Sequence, residues 1–243
     1  MTNLKSVLTK SDVHHPLFEA TPRLLMSVSS SLRKKSFGRD ERVVSHGDEA
    51  AHFWLVYEGW VKLTRQTPDG KETIIGLCTA GDVFGEAALF AGASYPYTAE
   101  IVGERAELAS ILASTLRTVI AQDTTISANI MGMLNERVSQ AQLKLEHMST
   151  MSAAQRLGCF LLRLCHTQAE GAKTLHIPIE KNVLATYLGM KPETLSRSQQ
   201  QLKPLGIHVS GAQIEVSNIE RLQKFVCGSC SESGSCEAGE AAS

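Results

Sequence analysis

Three thiols stand close together in the stretch CGSCSESGSC, where Cys227, Cys230 and Cys236 follow C-x2-C-x5-C spacing. Thiolates two residues apart can chelate one edge of an iron-sulfur cluster, and Gly228, Gly234 and the intervening serines let the backbone wrap it. The same residues would suit a zinc ion, a thiol-disulfide switch, or a Gly/Ser/Glu-rich tail that binds nothing. Any metal would need a fourth ligand from Asp, Glu, His or another Cys. A second constellation lies in PETLSRSQQQL. Glu193, Ser196, Arg197 and Gln200 share one helix face, opposite Leu195 and Leu202. A polar face of this kind either reads a ligand or is simply solvated. A third group, Gly85 and Glu86, opens a short apolar turn in GDVFGEAALF and is followed by Tyr97 and Thr98 at the entry to a strand. The structural reading there is a turn at Gly85 and a Glu86 that caps the next helix.

Elements of three kinds must position these residues. Between about Lys34 and Ile111 the runs HFWLVYEG, WVKLTRQ, KETIIGLC and AELASI have strand length and β-branched or aromatic content. TPDGKE joins two of them, so Val61 to Gln66 and Glu72 to Leu77 are expected to form a hairpin with Gly70 at positive φ. Helix returns near Ser114. From Thr124 to Met151, Met131, Leu134, Val138, Ala141, Leu145 and Met148 fall at spacings of 3 and 4, which makes a seam. Ile126, Ile130 and Met133 form a second apolar strip, so one face is expected against the chain's own domain and the other against a twin. Farther on, a short helix at Val183 to Leu188, Gly189 in a turn and a second helix opened by Pro192 spell a helix-turn-helix.

The chain of 243 residues is 43% apolar, enough for two modest cores, and carries a net charge of -1. That charge is uneven. Residues 1–151 hold 15 Lys+Arg against 17 Asp+Glu, residues 152–226 hold 9 against 5, and residues 227–243 hold 0 against 3, giving -2, +4 and -3. The basic segment permits a local phosphate-binding face. MTNLKSVLTKSDVHHPLF lacks the apolar core of a signal peptide and no apolar run reaches membrane-spanning length, so a cytoplasmic protein with no membrane partner is expected. In that compartment Cys78, Cys159 and Cys165 read as small buried apolar residues. Phosphate-binding and hydrolytic enzyme signatures are absent: there is no P-loop, G-x-G-x-x-G, H-E-x-x-H or G-x-S-x-G. No enzyme is expected.

From HFWLVYEGWVKL through GDVFGEAALF the chain resembles the cyclic-nucleotide-binding roll of Crp/Fnr transcription regulators, and PETLSR resembles the E-x-x-S-R recognition motif of the Fnr type. The resemblance covers about residues 15–226. It implies an α+β protein with an antiparallel β-roll at 1–123, a dimerisation helix at 124–151, a winged helix-turn-helix at 152–226 with GIHVSGAQIEV as the wing, and a cysteine-bearing tail at 227–243. Partners would be double-stranded DNA, a second copy of the chain and RNA polymerase.

On that reading Arg197 donates a fork to guanine, Glu193 accepts from a cytosine amino group and Ser196 approaches a thymine edge of a TTGAT-like half-site, present twice as an inverted repeat. Gln200 shares that face, and Lys191 and Lys203 meet phosphates. Nucleotide-binding relatives pair the phosphate with an arginine. Tyr97 occupies that position, leaving Gly85, Glu86, Tyr97 and Thr98 as the remnant of an effector pocket, and cyclic AMP is not expected.

No cysteine precedes Cys78, unlike the ordinary Fnr sensor. Some relatives instead carry cysteines after the DNA-binding domain, and Cys227, Cys230 and Cys236 resemble that arrangement. An oxygen- or redox-responsive iron-sulfur cluster is the leading expectation for the signal. The alternative is haem, since HHPLF, with His14 and His15, resembles the start of nitric-oxide-responsive Dnr-type regulators. A protein of another class, a redox or regulatory module that uses roll and tail without DNA, would have no need of PETLSR.

Overall fold

The computed structural model describes residue 28, residues 31–167 and residues 174–228, with the side chains of residues 166 and 167 left aside. The fold is α+β and divides into two compact units, with the break between Arg137 and Val138.

In the first unit six antiparallel strands form a roll: β1 (Arg33–Gly38), β2 (Arg42–Val44), β3 (His52–Gln66), β4 (Glu72–Thr79), β5 (Val83–Phe84) and β6 (Thr98–Leu112). The order is β1-β6-β3-β4, with β2 on β6 and β5 on β3. HFWLVYEG and WVKLTRQ are one fifteen-residue strand rather than two. Gly59 does not end the strand; it sits in a register shift at φ 91°, where a Cβ would lie 2.6 Å from the Arg105 carbonyl oxygen. The β3–β4 hairpin forms as the turn residues dictate, with Gly70 at φ 83° and its amide donating to the Thr67 carbonyl at 2.8 Å. Phe53, Phe84, Ile101, Leu108 and Ile111 fill the roll.

Helix α1 (Ala113–Gln122) closes the roll and α2 (Thr124–Thr150) leaves it. Asp123 starts α2 by accepting from the amides of Thr125 at 2.8 Å and Ile126 at 3.3 Å. The two apolar strips on α2 separate as their spacing requires at every position but Leu134. Ile126, Ile130 and Met133 are buried in the roll core, whereas Met131, Val138, Leu145 and Met148 are 47–71% exposed. Leu134, which spacing assigns to the exposed seam, leans onto the roll core, and Ala141 is exposed.

The second unit holds α3 (Ala153–Thr167), β7 (Thr174–His176), α4 (Lys181–Tyr187), α5 (Pro192–Leu202), β8 (Ile207–Ser210), β9 (Gln213–Val216) and α6 (Ile219–Cys227). Ser152 and Gln155 cap α3 reciprocally: the Ser152 amide donates to Gln155 Oε1 at 3.0 Å and the Gln155 amide to Ser152 Oγ at 3.3 Å. Helix α6 crosses close to α3 because Gly158 has no Cβ; one there would lie 2.7 Å from Val226 Cγ2. The wing has three strands in the order β7-β9-β8, one more than the sequence suggests. Among the thiols, Cys78 and Cys165 are buried, while Cys159 is only half-buried. Burial pushes the Cys165 thiol up to about 11.

Candidate nucleic-acid interface and effector-pocket remnant

Helix α5 displays the polar face and buries the apolar one. Leu195 and Leu202 are fully buried, and Glu193, Arg197 and Gln200 are exposed. Pro192 is the first helical residue, and Lys191 before it is extended and exposed. Ser196 is half-buried and its hydroxyl donates to the Pro192 carbonyl at 3.2 Å, so its proton reaches another acceptor only when the side chain turns outward. Ser196, Gln200 and the exposed Lys203 line a shallow groove together with Lys181, Gln199, Val209 and Gly211. Helix α5 and the β8–β9 hairpin therefore border one groove, with Lys181 and Lys203 along it. Lys181, Gln199, Val209 and Gly211 are lining residues that sequence reading missed, since only folding brings the start of α4 and the β8–β9 hairpin beside α5.

The turn between α4 and α5 is built as a helix-turn-helix requires. Gly189 has φ 64°, and the Met190 amide donates to the Ala185 carbonyl at 2.9 Å. Met148, placed in the seam by spacing, sets its methyl against the place where a Gly189 Cβ would stand. Four residues earlier the Lys144 ammonium lies 4.2 Å from the centroid of the Tyr187 ring.

In the roll, Gly85 takes φ 90°, a conformation that suits glycine, and a Cβ there would press 2.9 Å from the His52 carbonyl. Its amide donates to the Tyr97 hydroxyl at 2.7 Å, and that hydroxyl donates to Glu86 Oε2 at 3.2 Å. Glu86 does not cap the following 3-10 helix. Its Oε1 lies 3.2 Å from Arg137 Nε, and Arg137 also donates to the Val83 carbonyl. The guanidinium thus enters from α2 and not from the PYTA stretch; a lone arginine on a helix's polar face gives no signal of this in sequence. Burial would lower the Arg137 pKa, but Glu86, with Cys78 and Asp82, outweighs it and raises the value. Burial, reinforced by the Glu86 carboxylate, holds the Tyr97 phenol far above its ordinary range. Thr98 faces elsewhere, accepting from the His46 amide at 3.1 Å.

Of the tail cysteines, Cys227 ends α6 half-buried, whereas Cys230 and Cys236 lie outside the described residues, as do His14 and His15. Among the described residues no three of His, Cys, Asp and Glu are grouped to hold a metal, so these residues alone do not make a cluster or zinc site. No described helix is long and apolar enough to cross a membrane.

A β-roll followed in the chain by a long helix and a winged helix-turn-helix defines a DNA-binding transcription regulator. Residues 34–123 match the family described as cyclic nucleotide-binding domain and residues 155–225 that described as Crp-like helix-turn-helix domain. The chain belongs to the Crp/Fnr superfamily of transcription regulators. It is 24% identical over 207 residues to the CRP-like cAMP-activated global transcriptional regulator of Mycobacterium tuberculosis, covering 84% of this chain and 92% of that one. It is 26% identical over 174 residues to the nitrogen fixation regulation protein FixK of Azorhizobium caulinodans, covering 70% and 68%. The structure of FixK2 from Bradyrhizobium japonicum superposes with a TM-score of 0.71 at 26% identity, over 79% of this chain and 96% of that one.

Proposed function

We propose that this protein is a cytoplasmic homodimer that binds an inverted repeat of TTGAT-like half-sites and regulates transcription there together with RNA polymerase. The observation that carries this reading is α5, which exposes Glu193, Arg197 and Gln200 on a helix anchored by the fully buried Leu195 and Leu202. Arg197 would take guanine, Glu193 cytosine and Ser196 thymine, while Lys191 and Lys203 fix register on phosphates. In this assignment residues 1–123 sense, 124–151 dimerise, 152–226 read DNA and 227–243 carry the thiols. The exposed stripe Met131, Val138, Leu145 supports pairing through α2. Fluorescence anisotropy on the palindrome, on one half-site and on scrambled DNA tests the reading; equal affinity for all three refutes it.

The signal is assigned to redox state rather than to a nucleotide. Tyr97, Gly85, Glu86 and Arg137 satisfy one another in the roll, which leaves the tail thiols as the responsive chemistry. An iron-sulfur cluster would take Cys227, Cys230, Cys236 and one further ligand, and would supply oxygen lability to the tail. An anaerobic absorption spectrum with iron and sulfide analysis tests this: a colourless protein that takes up neither on reconstitution refutes the cluster and leaves a thiol-disulfide switch or a tail of spare thiols.

A further inference from the structure

Arg156, on α3, makes three hydrogen bonds to main-chain carbonyls that belong to two other segments. Its Nε donates to Leu188 at 3.0 Å, one terminal nitrogen to Met151 at 2.8 Å and the other to Gly189 at 3.4 Å. Met151 is the residue immediately after α2, while Leu188 and Gly189 form the turn between α4 and α5. Carbonyls at a helix end lack partners within the helix, and a planar guanidinium can serve several at once, which an ammonium at one point cannot. Charge-assisted bonds of this kind are stronger than neutral ones. Met148 in turn occupies the space beside Gly189. The turn is therefore clamped between α3 and the last residues of α2.

Only Met190 and Lys191 separate Gly189 from Pro192, the first residue of α5. Met190 is itself held to α4 by its amide on the Ala185 carbonyl, so little free chain remains to absorb a displaced turn before it reaches Glu193 and Arg197. We infer that Arg156 is a positioning residue for DNA reading: by bridging Met151, Leu188 and Gly189 it sets where the recognition helix begins, and it links that start to the end of the long helix. This inference rests on α5 being the reading helix.

The test compares Arg156→Met, Arg156→Lys and Arg197→Ala in the full-length protein by anisotropy on the palindrome and on the same DNA with both half-site guanines replaced. Thermal unfolding fixes a working temperature below every midpoint. Arg156→Met is expected to lose about tenfold in the ratio of the two affinities, the worth of one misplaced base contact, while keeping its affinity for the guanine-replaced DNA. Arg156→Lys, which restores charge but not the fork, is expected to recover only part of that ratio; where Arg156→Met does not fold, the lysine variant alone carries the test. A discrimination ratio that stays at the parent value in the folded Arg156 variants, while Arg197→Ala loses its own, overturns the positioning role and leaves the reading helix standing. A full ratio in Arg197→Ala overturns both.

Discussion

The Tyr97 hydroxyl stands 2.7 Å from the Gly85 amide nitrogen and 3.2 Å from Glu86 Oε2, accepting from the first and donating to the second. The Gly85 amide and the Glu86 carboxylate are thus both engaged by one side chain, and the Glu86 charge is balanced by Arg137.

Removing that hydroxyl should be felt by the fold. Tyr97→Phe leaves a buried amide without its acceptor, which costs about 1–3 kcal/mol. Thermal unfolding measures it; an unchanged midpoint would show that the amide finds another partner.

The same phenol predicts a pH dependence. In the unfolded chain Tyr97 loses its proton near pH 10, whereas the folded phenol keeps it to higher pH. Above about pH 10 the unfolded state then binds fewer protons than the folded one, so stability falls with rising pH. Tyr95, also raised by burial, adds to that slope. Denaturant unfolding from pH 8 to 11 should show a shallower decline in Tyr97→Phe than in the parent. Parallel curves refute the assignment.

Cyclic AMP should find no place in the roll. A ligand at a hundredfold excess over its Kd would stabilise the fold by about 2.7 kcal/mol. Titration is expected to leave the melting midpoint and the DNA affinity unchanged, and a saturable rise in either overturns the reading.

Base readout and phosphate contact separate by mutation. Arg197→Ala is expected to cost about 1–3 kcal/mol on the palindrome and to relax preference at the guanine. Lys203→Ala should weaken every sequence alike and lower the salt slope by about one. Binding curves at several salt concentrations, on matched and substituted sites, distinguish the two.

Pairing through α2 should fail when its exposed stripe is charged. Val138 is 56% and Leu145 71% exposed, so Val138→Glu with Leu145→Glu creates no buried charge within one chain. Sedimentation is expected to show monomers and palindrome affinity to drop, while far-UV circular dichroism stays unchanged. A persistent dimer places the contact elsewhere.

Much of this was legible in sequence because its causes are local. Gly70, Gly189 and Pro192 each act through their own backbone preferences, and the strips on α2 separate by helical period except at Leu134. What was hidden depends on partners distant in the chain. Gly59 reads as a break until Arg105 is seen behind it, and Glu86 reads as a cap until Arg137, 51 residues on, reaches it. β7 is three residues long, too short for any period to show.

Burial also ranks the sulfurs by reactivity. With its thiol held up at about 11 by burial, Cys165 presents almost no thiolate at pH 7, and Cys78 is 3% exposed inside the roll. An alkylating reagent given to the native protein therefore reaches Cys227 well before either of them, and the two core thiols become countable only after unfolding. Mass spectrometry before and after denaturation thus has an internal reference in the unaltered chain, with two protected sulfurs against which the occupancy of the tail can be read.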